Sequence, residues 1–195
     1  MLKKRIITAV FLLVLFLSSV FHFPNFLFAI FLAVIILVAA WEWAGLLHLE
    51  KKQTTLYLLM TSLLLVGAWW LARDASLYIY LIAALWWAIA SLWVMLYPKH
   101  QYWAKPVILS GLGWLTLIPA WIACVKLQAD QSMLLLYGFV IIWGGDTGAY
   151  FVGRKWGRNK LAPFVSPGKT IEGFCGGLFT SFLFVFILIY FFGFP

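Results

Sequence analysis

One stretch of this 195-residue chain gathers the groups that can handle an anion. Residues 143–177 hold nine of its 15 glycines and five of its 14 Lys and Arg residues. Asp146 sits near the end of an apolar run, where an ionised carboxylate costs a few kcal/mol unless it meets water, a cation or a metal, typically about 3. Gly144, Gly145 and Gly148 clear space around it for another helix or a ligand. An ion pair with Arg154 or Lys155 is the plainer reading, but Arg154 lies about two helical turns away. Beyond Asp146 come Arg154, Lys155, Arg158 and Lys160, then Lys169. Five cations interleaved with glycine and proline exceed what orienting one membrane span requires and suit an anion site. Arg presents a planar fork to phosphate and Lys a mobile point charge. Attraction to anionic lipid is the simpler alternative for the same charges. In Ser166-Pro167-Gly168-Lys169-Thr170, Pro167 can start a turn and Gly168 lets the backbone approach a ligand. Ser166 or Thr170 can cap the helix that follows, whose N-terminus attracts phosphate. A P-loop would need glycine where Pro163 stands, which disfavours a P-loop ATPase. Glu172 can bind metal, meet a ribose hydroxyl or simply complement the helix start.

The elements that carry these residues must lie in a membrane. Apolar residues make up 65% of the chain and charged ones 10%, too much apolar surface for a soluble domain of this size. That excludes an ordinary cytosolic enzyme, a disordered chain and a disulfide scaffold. Cys124 and Cys175 lie in apolar runs without CxxC spacing and read as packing residues. The expected fold is all-α, a single polytopic transmembrane domain over 1–195 with about seven helices. The candidate spans are 6–22, 26–47, 55–71, 77–97, 107–125, 132–151 and 173–194, each near the ~20 residues a crossing needs. A cleaved signal peptide fits the start less well, because no small-x-small site follows and a second apolar run begins at once. With a cytoplasmic N-terminus and alternating spans, twelve of the 14 basic residues fall inside. Only Arg73 and Lys126 fall outside, as the positive-inside rule prefers. The net charge of +8 is then mostly topology, and no nucleic-acid module is visible. Trp41, Trp43, Tyr97, Tyr102 and Trp103 read as an interfacial belt. The three histidines, His22, His48 and His100, share no spacing and are assigned no catalysis. The long polar segment, 152–172, reads as a cytoplasmic loop.

The run Asp146-Thr147-Gly148-Ala149-Tyr150, followed by Gly153-Arg154, Gly157, Lys160-Leu161-Ala162-Pro163 and Ser166-Pro167-x-Lys169-Thr170-x-Glu172-Gly173, closely resembles the phosphatidate cytidylyltransferase (CDP-diacylglycerol synthase) family of bacterial inner membranes. Weaker likenesses are Lys4-Arg5-Ile6-Ile7, Trp41-Glu42-Trp43 and Leu115-Thr116-Leu117-Ile118-Pro119. Gly168 stands where the family often has lysine, and Ile171 where it often has tryptophan.

The resemblance implies that CTP and phosphatidate give CDP-diacylglycerol and pyrophosphate in phospholipid biosynthesis. It implies a multi-pass protein of the bacterial inner membrane, with the bilayer, CTP and phosphatidate as partners and Mg²⁺ as cofactor; a homodimer stays open. Asp146 and Lys169 are the expected catalytic residues. Arg154, Lys160, Ser166, Thr170 and Glu172 are the expected substrate contacts, and Asp146 a metal contact. Family members usually continue past this point into a C-terminal signature whose carboxylates are thought to hold the metal. The expectation is therefore a truncated member or an N-terminal fragment. Two other classes compete. A CTP-dependent lipid-alcohol kinase needs a general base, for which only Asp146 or Glu172 offers. A transporter or partner subunit would show paired broken segments, whereas glycine and charge cluster here once.

Overall fold

The computed structural model describes residues 2–97 and 105–193, with the backbone alone for 2–6 and 71–76. The topology assignments of Lys3, Lys4, Arg5, Arg73 and Lys99, and the readings of His100, Tyr102 and Trp103, lie outside the described side chains. Apolar runs have no water to satisfy their backbone, so N–H and C=O groups pair within the segment as helix. Among the described residues five helices result: α1 (Leu2–His22), α2 (Asn25–Leu46), α3 (Lys51–Leu96), α4 (Pro106–Trp156) and α5 (Ile171–Phe192). Between α4 and α5 lie two short strands, β1 (Lys160–Ala162) and β2 (Ser166–Thr170).

The all-helical expectation holds apart from that strand pair, but the seven runs do not become seven helices. The predicted 55–71 and 77–97 fall on α3, whose backbone stays helical through 71–76. Polar residues interrupt hydropathy there without interrupting backbone hydrogen bonding. The predicted 107–125 and 132–151 fall on α4, broken only at Gln131, whose backbone is extended (φ −156°, ψ 88°). Among the described residues four stretches are long and apolar enough to cross a membrane: Asn25–Leu46, Leu77–Leu96, Pro106–Trp156 and Ile171–Phe192. Ile7–His22 is apolar but shorter. The chain is thus a multi-pass, membrane-type helical protein.

Two compact units divide it: Met1–Ala88 with Tyr102–Ser132, and Ile89–Gln101 with Met133–Pro195. In the first, α2 buries a stripe at four-residue spacing, Phe28, Leu32, Ile36, Ala40 and Ala44, the face expected of a helix against its neighbours. Ala40, Ala44 and Tyr57 form a small core, with Trp43 and Trp114 packed on it. The Tyr57 and Trp114 rings stack at 5.1 Å. The α1–α2 turn is tied to α4 by a polar clasp: Asn25 Nδ2 donates to Gln128 Oε1 (2.8 Å), and Gln128 Nε2 donates to the Phe23 carbonyl (3.0 Å).

The second unit is built on the α4–α5 pair. Gly145, Ala149 and Gly153 recur every four residues on α4, and Gly173, Gly177 and Ser181 on α5. In the structure they face one another in antiparallel order. A Cβ on Gly173 would stand 3.0 Å from the Ala149 carbonyl oxygen, and one on Gly177 3.0 Å from that of Gly145. Lipid tails are as apolar as side chains, so membrane helices associate through close packing, and small residues permit the closest.

Candidate functional site

The polar segment is more structured than a loop. Helix α4 runs on through Trp156, so Arg154 and Lys155 belong to its last turn rather than to a loop beginning at 152. Cations there oppose the negative end of the helix dipole. Lys155 also lies over the Trp156 ring, 4.7 Å from its centre.

Beyond Gly157 the chain forms an antiparallel hairpin in which Lys160 pairs with Thr170 and Ala162 with Ser166, with an irregularity between. The turn falls at Pro163-Phe164-Val165, closed by Val165 N–H to the Ala162 carbonyl at 3.1 Å. The expected turn at Pro167 is therefore displaced: Pro167 and Gly168 lie within β2. A side chain at Gly168 would meet open space, so the backbone there is accessible to a ligand.

Thr170 is the buried anchor. Its Oγ1 accepts the Gly173 N–H at 3.1 Å, capping α5, while its backbone is extended (φ −126°, ψ 154°). This is the geometry of an N-cap residue, and it selects Thr170 over Ser166. Gly153 and Gly157 pass so close to Thr170 that added side chains would meet its hydroxyl. The start of α5 is thereby set against the end of α4.

Glu172 reaches back across the segment. Its carboxylate accepts the Arg158 N–H (3.0 Å), the Asn159 N–H (3.2 Å) and the Asn159 Nδ2–H (2.8 Å). Ile171 N–H in turn donates to the Asn159 carbonyl at 2.9 Å. Of the alternatives open to Glu172, the structure thus adds one that no local spacing rule suggests: it pins a corner 13 and 14 residues upstream.

Asp146 lies on a different stripe of α4 from the glycines. They pack against α5, whereas Asp146, Tyr150 and Arg154 follow each other at four-residue intervals on an exposed face. The simple Asp146–Arg154 pair does not form. Arg154 Nη1 donates instead to the Tyr150 hydroxyl at 2.9 Å. Asp146 has no hydrogen-bond or ion-pair partner among the described residues. Nor do the side chains of Arg158, Lys160 and Lys169, all exposed. The structure therefore groups Lys160, Ser166, Lys169, Thr170 and Glu172 at one hairpin, joins Arg154 to Tyr150, and leaves Asp146 about two turns down the helix.

No three His, Cys, Asp or Glu side chains converge among the described residues. A Mg²⁺ ion carried by nucleotide phosphates needs only one or two protein carboxylates, its other ligands being phosphate oxygens and water. The free carboxylate of Asp146 fits that demand.

The profile of the cytidylyltransferase family matches residues 3–195. The phosphatidate cytidylyltransferase of Pseudomonas aeruginosa is 39% identical over 91% of this chain and 67% of its own length. That of Haemophilus influenzae is 36% identical over 98% of this chain and 74% of its own. A Staphylococcus aureus phosphatidate cytidylyltransferase is 47% identical over a shorter region, 33% of this chain and 25% of its own. No solved structure matches. A profile spanning almost every residue, together with relatives aligned over nine-tenths or more of the sequence, places this chain in the cytidylyltransferase family.

Proposed function

We propose that this protein is a phosphatidate cytidylyltransferase: it transfers the cytidylyl group of CTP to phosphatidate, giving CDP-diacylglycerol and pyrophosphate. The observation that carries the reading is the match over nine-tenths or more of the chain to bacterial proteins of that name. A phosphate oxygen of the lipid forms a bond to the α-phosphorus of CTP. The bond from that phosphorus to the β-phosphate bridging oxygen breaks, and pyrophosphate leaves. The attacking oxygen is already anionic, so positioning and charge neutralisation matter more than proton abstraction.

The chain's own groups match those needs. Lys169 and Lys160, on paired strands and without a partner among the described residues, hold phosphate oxygens and offset the charge gathering on the leaving group. Arg154, steadied by Tyr150, supplies a planar fork to the lipid or nucleotide phosphate. Ser166 offers a hydroxyl from β2, and Thr170, by capping α5 through the Gly173 N–H, fixes the helix start beside the hairpin. Asp146 is the carboxylate available to orient a cation or hold Mg²⁺, which when bound neutralises the triphosphate.

The reaction belongs at the cytoplasmic face of a bacterial inner membrane, where CTP meets lipid headgroups. The five Lys and Arg residues gathered in 143–177 favour a cytoplasmic position for the hairpin. No observation favours the lipid-alcohol kinase or the transporter. Pyrophosphate release by the purified protein tests the reading. It should require CTP and phosphatidate together and should stay at background when diacylglycerol or a polyprenol replaces phosphatidate. CDP formed with a lipid alcohol, and no pyrophosphate with phosphatidate, would overturn it.

A further inference from the structure

The corner Gly157-Arg158-Asn159 turns the chain from α4 into β1. Its two successive N–H groups, on Arg158 and Asn159, converge on one acceptor. Such a pair of backbone donors is a natural anion-binding concavity, and in a phosphate-handling site a substrate oxygen is the obvious occupant. Here the occupant is internal. Glu172 Oε2 takes the Arg158 N–H at 3.0 Å and shares the Asn159 N–H at 3.2 Å, while Oε1 takes the Asn159 side-chain amide at 2.8 Å. Asn159 is held at its N–H, its carboxamide and, through Ile171, its carbonyl. Both oxygens of Glu172 are thus committed to the chain itself. The two cationic side chains at the corner, Arg158 and Lys160, have no partner among the described residues.

We infer that Glu172 is a positioning residue, which locks the corner so that the Arg158 guanidinium and the Lys160 ammonium are presented together to the nucleotide phosphates. Arg158 thereby becomes a further anion contact of the site. This inference deepens the cytidylyltransferase reading and rests on it for the identity of the anion. The lock itself does not depend on that reading. A carboxylate that spans from the first turn of α5 to the exit of α4 removes the freedom of the connection, and cations held in place lose less entropy on meeting phosphate than cations on a loose loop.

The experiment uses the purified full chain with Glu172→Ala, Asn159→Ala and the double variant, each assayed in two ways. The first is trypsin cleavage after Arg158 or Lys160 without substrate. The second is CTP turnover. Glu172→Ala should speed cleavage about tenfold and raise KM for CTP about tenfold, with kcat within about threefold of the parent. Asn159→Ala removes one of the three donors and should move both readouts the same way by about threefold, and the double variant should be no worse than Glu172→Ala alone. A fall in kcat with KM and cleavage unchanged, or a silent Asn159→Ala beside a damaging Glu172→Ala, would overturn the inference and make Glu172 a direct contact to substrate or metal. If Glu172→Ala is not recovered folded, Asn159→Ala carries the same two readouts. Faster cleavage in variants of a parent that does not turn over CTP would leave the lock standing and remove the functional reading instead.

Discussion

In the first unit the helices meet through large aromatic side chains. Four indole N–H groups cross from one helix to another: Trp43 to the Leu109 carbonyl, Trp121 to the Ala29 carbonyl, Trp114 to the Thr61 hydroxyl and Trp86 to the Thr116 hydroxyl, all between 2.9 and 3.1 Å. In the second unit the α4–α5 pair comes backbone near backbone along the Gly145-Ala149-Gly153 and Gly173-Gly177-Ser181 stripes, with Phe184, Thr180 and Val152 packed onto the glycines beside them. Both arrangements answer the same constraint, that a membrane interior leaves no polar group unsatisfied and supplies no hydrophobic drive between helices. They answer it with different tolerances. An aromatic contact can shift by a rotamer, whereas two backbones in contact cannot accept a methyl group. The rigid pairing is the one whose ends carry the hairpin and its cations. A phosphate site gains from a frame that holds its charges in place.

Breaking that frame should have the largest effect. Gly148 faces Thr180 and the Gly176 carbonyl so closely that any side chain must displace them. Gly148→Val should destabilise the protein by about 3 kcal/mol and abolish turnover, read as a fall in thermal midpoint in detergent together with the assay. An unchanged midpoint would mean the seam is not closely packed. Lys169→Ala should leave the midpoint alone and cut kcat/KM by about 100-fold, since it removes one fixed cation from a developing negative charge. An equal loss of stability would place Lys169 in the frame instead of the chemistry.

The first unit sharpens the contrast. Trp114→Phe keeps a ring on Tyr57 but deletes the donor to Thr61. It should cost about 1 kcal/mol and leave KM for CTP unchanged. The smallest effect, and one of opposite sign, belongs to Gly111, on α4 in the first unit, where a Cβ would meet nothing within 4 Å. Gly111→Ala should stabilise the protein by about 0.5 kcal/mol, because alanine loses less backbone freedom in a helix. A large loss there would erase the distinction between the two units.

Much of this was legible in the residues. Apolar content forced a membrane helical fold, and the density of glycine and cations in 143–177 singled out the candidate segment before any geometry. The small-xxx-small spacing on both helices was also readable, although the glycines near Asp146 suggested room for a ligand as readily as for α5. Other features had no local signal. Arg73 and Asp74 interrupt hydropathy without ending α3, because the helix needs only its backbone bonds. Residues such as Pro167 and Gly168 disfavour strand, yet β2 forms because Thr170 and Ile171 are fixed at the start of α5 and Lys160 must return alongside. The Glu172 lock joins residues 13 and 14 positions apart, a separation set by the hairpin and by no helical or strand period.

The central claim is that this chain moves a cytidylyl group and not a phosphoryl group. The most direct test gives the purified protein CTP labelled at either the α- or the γ-phosphorus, with phosphatidate and Mg²⁺. α-Label should enter the lipid while γ-label leaves as pyrophosphate, and Lys169→Ala should suppress both. Label from the γ-position in the lipid, or α-label transfer indifferent to Lys169→Ala, would contradict it.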